Sequence, residues 1–292
     1  MSRILQHLEI PALIIAPCAL LLCAYLQIEQ SSIITLIFVV LTLLIFFAGF
    51  ESSKPALRQI MPTVVLAALA SAGRILFAPI PDFKPVSAIC IMAGAVFGKR
   101  CGFMVGALAA LCSNFFFGQG PWTPWQMYAW GMIGYLAGIL GQAGIFGETK
   151  VSHTTSGNNL ETATTPTALE VNKISVQTQD KEKVSEQQLQ DEKTSPKQQA
   201  QSKNPTVRRT FSLSTLALIS YGFLSGVFFG FILNSYYLVG FVIPVSWQGA
   251  LTVYLSGLPF DIIHGIATVV FLLALFVPWK RKLERIKVKY GL

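Results

Sequence analysis

Asp261 and His264 stand three residues apart, so any helix that carries them presents both on one face. A carboxylate beside an imidazole suits a structural hydrogen bond, the wall of a ligand cavity, or a proton-transfer pair. For catalysis or metal binding the pair is too small, because no third ligand or nucleophile stands in a matching motif. The patterns G-x-x-x-x-G-K-[ST], H-E-x-x-H and G-x-S-x-G do not occur. The expectation is therefore no catalytic residue, no metal and no cofactor, and any ATPase that drives this protein is a separate chain. Cys18, Cys23, Cys90, Cys101 and Cys112 lie in or beside apolar runs without C-x-x-C spacing, and read as thiols packed as small hydrophobes.

Arg74 sits about a turn short of the end of an apolar run, where a guanidinium must snorkel, pair with Asp261, or meet an anionic group on a ligand. The stretch Asn114–Gln126 (NFFFGQGPWTPWQ) is the most distinctive in the chain. Its Gly and Pro residues impose turns, and Trp122 and Trp125 suit a membrane–water interface. Asn114, Gln119 and Gln126 beside those rings also suit a site for a flat, polar solute. Aromatic belt and ligand lid both fit. A second segment, Asn234–Gln248, repeats the theme with Tyr236, Tyr237 and Trp247, and is read as another outer loop.

The elements that must hold these residues are membrane spans. Of the 292 residues 53% are hydrophobic and 12% charged, with a mean hydropathy of +0.57. A soluble domain carries roughly a quarter charged residues. Apolar runs long enough to cross about 30 Å of hydrocarbon, or nearly so, cover Ile10–Leu26, Ile33–Phe50, Ile60–Pro79, Val86–Phe97, Gly102–Phe117, Trp125–Phe146, Leu213–Leu233 and Leu258–Pro278. Val86–Phe97 is short, which suits a tilted, partly buried or re-entrant helix, and is counted as one pass. Eight passes with both termini in the cytoplasm put all but Arg74 and Lys84 of the 22 Lys and Arg on the inside. The net charge of +8 is thus a topology signal and not a nucleic-acid patch.

The polar segment 147–210 lacks large apolar residues and nearly balances its charges, so it reads as a disordered cytoplasmic tether. Four parts follow: an N-terminal hairpin over 1–52, core spans one to four over 53–146, the linker over 147–210, and core spans five and six with a basic tail over 211–292. Small residues recur four apart at Ala68/Ala72, Gly102/Gly106, Gly134/Gly138 and Gly222/Gly226/Gly230, a spacing that lets helix backbones approach closely.

Several of these residues resemble the substrate-binding S components of energy-coupling factor (ECF) transporters. The resemblance rests on Ala72-Gly73-Arg74, Phe77-Ala78-Pro79, Lys84-Pro85-Val86, Ser113-Asn114-Phe115-Phe116, the run from Gly118 to Met127, and Pro259-Phe260-Asp261 with His264. It implies an all-α six-helix bundle, here preceded by the two-helix hairpin, in the cell membrane. It further implies a vitamin-like solute bound at the outer face, a transmembrane T-component partner, two ATP-binding cassette ATPases, and toppling in the membrane to release solute. By matching position it implicates Arg74, Lys84, Asn114, Gln119, Trp122, Trp125 and Asp261 in solute binding, to which the reading of the residues themselves adds Gln126 and His264, and it implicates Ala68 and Ala72 in docking the T component. A corrinoid of the cobalamin type is the favoured solute. A stand-alone secondary transporter is the alternative, and it would need coupling-ion sites that Asp261 alone scarcely provides. The extra hairpin sits awkwardly with toppling unless it moves with the core.

Overall fold

A computed structural model describes residues 2–26, 31–52, 57–146 and 213–290. The linker expected over 147–210 lies outside the described residues, as do the ends of the boundaries drawn around it. Helices and the turns between them make up the described residues: α1 (Ser2–Leu26), α2 (Ser31–Ser52), α3 (Leu57–Leu76), α4 (Val86–Phe97), α5 (Lys99–Phe117), α6 (Thr123–Gln142), α7 (Leu213–Phe241), α8 (Trp247–Phe271), a π-helical turn at Leu272–Phe276, and α9 (Val277–Tyr290). Ser32–Ser52, Lys99–Phe117, Leu213–Phe241 and Trp247–Phe276 are long and apolar enough to cross a membrane. Pro11–Leu26, Ile60–Leu76 and Val86–Phe97 are shorter apolar helices.

The core is built around α4, α5 and α6. Twelve residues give α4 a length of about 18 Å, too little for a lipid-facing crossing, and the surrounding chain covers it instead: ten of its residues are buried. It turns into α5 through Gly98 alone, whose φ of 97° favours glycine. The three helices then close on glycine. A β-carbon at Gly102 would collide with the backbone of Gly134 and Gly94, and one at Gly106 with the backbone of Trp130 and Gly131. Gly226 meets Gly265 in the same way between α7 and α8. The glycine stripes thus bring this chain's own helices together. Because α6 spends its sequence on Trp125, Tyr128, Trp130 and Tyr135, all buried, it has the place of a central helix and not a uniformly apolar face.

The hairpin belongs to the same body. Thr42 donates to the carbonyl of Ala12 at 3.0 Å and ties α2 to α1. Tyr128 donates to the carbonyl of Leu13 at 2.6 Å, and Ser32 to that of Gly240 at 2.9 Å. Phe46 stacks on Phe103 with ring centroids 3.8 Å apart and meets Tyr135 edge-on.

Two expectations need correction. The outer loop expected at Asn234–Gln248 is largely helix: α7 continues to Phe241, α8 begins at Trp247, and 242–246 remain between them. The last span begins eleven residues before Leu258. Ser256, Gly257 and Pro259 look like a break in sequence, yet Pro259 lies inside α8, as proline does in membrane helices whose neighbours satisfy the freed carbonyl. Asp261 therefore lies about 21 Å along α8 from Trp247, well below the helix end where the sequence placed it.

Candidate functional site

The site grows from Arg74, two residues before the end of α3 and 6% exposed. A charge that deep needs partners, and two of its bonds go to α5. Nη1 donates to Ser113 Oγ and to Asn114 Oδ1, both at 2.6 Å. The guanidinium also lies over the rings of Phe117 and Trp130, at 4.7 and 4.9 Å, geometry that favours a desolvated cation. Its Nε is buried and meets no acceptor among the described residues. Of the three readings open in sequence, the ion pair with Asp261 is not formed. A salt bridge joins Lys84 to Asp82 at 3.5 Å.

Asn114 passes the network on to α6. Its Nδ2 donates to Thr123 Oγ1 and to Gln126 Oε1, both at 2.9 Å. Thr123 in turn donates to Gln119 Oε1 at 3.0 Å and accepts from the backbone N–H of Gly120. Gln119 Nε2 closes back on the Leu111 carbonyl at 3.0 Å. The turn Gly118–Trp122 is thereby pinned from both sides, with φ of 95° at Gly118 and with Gly120 lying flat under the Trp122 ring. That ring is 42% exposed, as is much of Phe117. Five sequence candidates (Arg74, Asn114, Gln119, Trp122 and Gln126) thus form one connected group at the junction of α3, α5 and α6.

A second chain of bonds runs from the same point. Trp130 Nε1 donates to Ser87 Oγ at 3.1 Å, and Ser87 Oγ lies 2.8 Å from His264 Nε2. His264 is buried and meets Phe229 edge-on, while Phe229 stacks on Trp130. His264 therefore bonds α4 and not Asp261. Asp261 accepts from Asn234 Nδ2 at 3.3 Å and lies against Gly230, where no side chain fits. Asp261 and Asn234 are half-buried, and so are Asp82 and Lys84 in the connection between α3 and α4. Phe77 and Phe83 anchor that connection on Phe271 of α8, at 5.0 and 5.3 Å between ring centroids.

Trp125 departs from the group. It is fully buried, faces away from the turn, and stacks on Tyr236 at 5.6 Å. Ala68 and Ala72 lie on the exposed face of α3 along with Val64, Val65 and Leu69. Sequence reasoning missed Ser87, Ser113, Thr123, Trp130, Asn234 and Asp82. Only Asn234 carried a signal, a lone amide in an otherwise apolar and aromatic stretch.

Residues 54–158, just over a third of the chain and including the whole of α3 to α6, match the family model for the ECF-type riboflavin transporter, S component. Neither a curated protein nor a solved structure matches the chain. The matched region belongs to the S-component family, and among the described residues four helices are long and apolar enough to cross a membrane. The match contains Arg74, Lys84, Asn114, Gln119, Trp122, Trp125 and Gln126, whereas Asp261 and His264 lie beyond it. Its riboflavin type displaces the corrinoid preference.

Proposed function

We propose that this chain captures a riboflavin-class solute, a flat heteroaromatic ring system with a polyhydroxylated tail, for ATP-driven uptake. The observation that carries the reading is the riboflavin-type family match over the segment that holds the bonded Arg74–Asn114–Gln126–Thr123–Gln119 group. Within that group the buried members orient the exposed ones. Arg74, Asn114 and Thr123 hold the turn; Trp122 and Phe117 offer ring faces to a planar solute. Asp261, Asn234 and Lys84 supply charge and amide groups for its polar edge. A turn already fixed by three glycine, threonine and glutamine contacts loses little further entropy when a ring settles on it.

The transported direction follows from charge. Basic residues cluster at the end of the bundle where α4 meets α5 and along α9, so that end is cytoplasmic and the Gly118–Trp122 turn is extracytoplasmic. Both termini and the 147–210 tether then lie inside. The partners are a T component and two ATPases, as S components generally have. Ala68 and Ala72, exposed on α3 and surrounded by aliphatic side chains, are the docking stripe, because small residues on an outward face let another helix approach closely.

Titrating the purified chain with riboflavin tests the solute directly, since ring stacking on tryptophan quenches flavin and protein fluorescence together. A saturable quench is expected, with Trp122→Ala and Asp261→Ala each weakening it about tenfold, or about 1.4 kcal/mol. Trp279→Ala, on α9, leaves it unchanged. Saturable binding of a corrinoid with no response to riboflavin would sink the proposal.

A further inference from the structure

Of the described helices α9 carries the largest unbalanced charge: six Lys and Arg between residues 280 and 289, against Glu284 alone. One side of it is engaged with the rest of the subunit. Lys280 donates to the Phe146 carbonyl at 2.7 Å, Leu283 is buried in the core, and the helix packs on α4. The other side is open. Arg281, Lys282 and Arg285 are exposed and, by helical periodicity, point away from Lys280 and Leu283. Trp279 and Ile286 are 45% and 39% exposed, and they share a stripe with Lys282 beside the buried face.

Length places this open side among headgroups. α8 and the π-helical turn run on without a break over Trp247–Phe276, 30 residues, or about 45 Å. With Trp247 at the outer boundary, such a run passes through about 30 Å of hydrocarbon and into the far headgroup layer of a bilayer about 40–45 Å thick. α9 begins there. An indole and an isoleucine left in water at that point would forgo burial, whereas the boundary between headgroups and acyl chains covers both.

The partner must therefore offer negative charge and an apolar layer together. An acidic protein surface would satisfy the cations but give the neighbouring indole no role; an anionic lipid surface accounts for both. We infer that the open side of α9 binds the headgroups of anionic phospholipids. Arg281, Lys282 and Arg285 meet the phosphates, which accept charge-assisted hydrogen bonds from them, and Trp279 and Ile286 rest on the acyl boundary. Lys280 and Leu283 transmit that hold to the core, so the lipid surface fixes how this end of the subunit sits in the membrane.

A polarity-sensitive bimane label at Ile286→Cys, on the full chain with its native cysteines replaced, tests this. The chain is reconstituted into vesicles of dioleoyl phosphatidylcholine, alone or in equal parts with dioleoyl phosphatidylglycerol. Emission should shift to the blue in the anionic vesicles and return in about 1 M salt, where charges are screened beyond about 3 Å. The same label at Leu251→Cys, near the outer end of α8, should not respond. Replacing Arg281, Lys282 and Arg285 together by Gln should abolish the shift while leaving the melting temperature near wild type. Where that variant fails to fold, the salt dependence of the unsubstituted helix decides. Equal emission in the two vesicles, or a shift that salt does not reverse, overturns the inference. So does a triple variant that keeps the shift yet no longer co-purifies with the ATPases, which would assign the surface to a protein partner.

Discussion

Asn114 is the residue on which most of the site's geometry depends. It accepts from Arg74 and donates to Thr123 and Gln126, so one side chain joins α3, α5 and α6. Asn114→Ala removes three bonds and leaves a buried guanidinium with Ser113 as its remaining hydrogen-bond acceptor in the network. A destabilisation of about 2–3 kcal/mol is expected, with each orphaned group costing a share. Thermal melting in detergent measures it. Tryptophan emission should shift as well, because Arg74 lies over Trp130. Asn114→Asp separates the two halves of the network: it keeps an acceptor for Arg74 but loses both donations. Its stability should be nearer wild type than that of Asn114→Ala, with the Gly118–Trp122 turn loosened and riboflavin binding weakened. The sequence made Arg74 and Asn114 conspicuous, since a cation or an amide in an apolar run demands a partner. It gave no sign of Ser87 or Trp130, which are unremarkable in any membrane helix until their neighbours are known. Trp125 shows the opposite failure. Its place in an aromatic turn suggested a surface ring, but the helical start at Thr123 rotates it into the core.

At the scale of elements, the small-residue stripes divide into two kinds that spacing alone cannot tell apart. Gly102, Gly106 and Gly134 face other backbones of this chain, while Ala68 and Ala72 face outward. The same substitution should therefore have opposite effects in the two places. Gly102→Leu drives a side chain into Gly134 and should cost about 3 kcal/mol or prevent folding. Ala68→Leu with Ala72→Leu should change the melting temperature little, as surface substitutions usually stay within about 0.5 kcal/mol. Yet this double variant should fail to co-purify with the T component while still binding riboflavin. Normal assembly by it would remove α3 as the docking face. Helix ends were legible where glycine or proline coincided with a change in hydropathy, as at Gly98 and Gly118. They were misread at α8, where Gly257 and Pro259 mimic a boundary that the neighbouring helices override.

For the whole molecule, the distribution of Lys and Arg supports the orientation proposed above. In a background with the five native cysteines replaced, a cysteine placed at Ser185 should stay unreactive toward a membrane-impermeant thiol reagent in intact cells. One placed at Ser246, between α7 and α8, should react. Labelling at Ser185 would reverse the assigned orientation and with it the side from which solute is taken. The hairpin was legible as two spans but not as part of the core, because nothing in an apolar run says which protein surface it meets. Phe46 on Phe103, and Tyr128 on the Leu13 carbonyl, settle that relation. If the subunit reorients to release solute, all of these helices turn as one object.

Those same contacts place this protein's assembly on a clock. Tyr128 bonds a residue made 115 positions earlier, and Ser32 bonds one made 208 positions later. At roughly 5–20 residues per second of synthesis, the hairpin finished at Ser52 waits about 3–10 s for Phe103 on α5, about 4–15 s for Tyr128 on α6 and about 9–38 s for Gly240 on α7. Until then α1 and α2 have little but each other, and the Thr42 bond to Ala12 helps to hold them. Thr42→Val should therefore lower the yield of assembled protein more than the stability of the protein that does assemble, because the contacts added later take over its task.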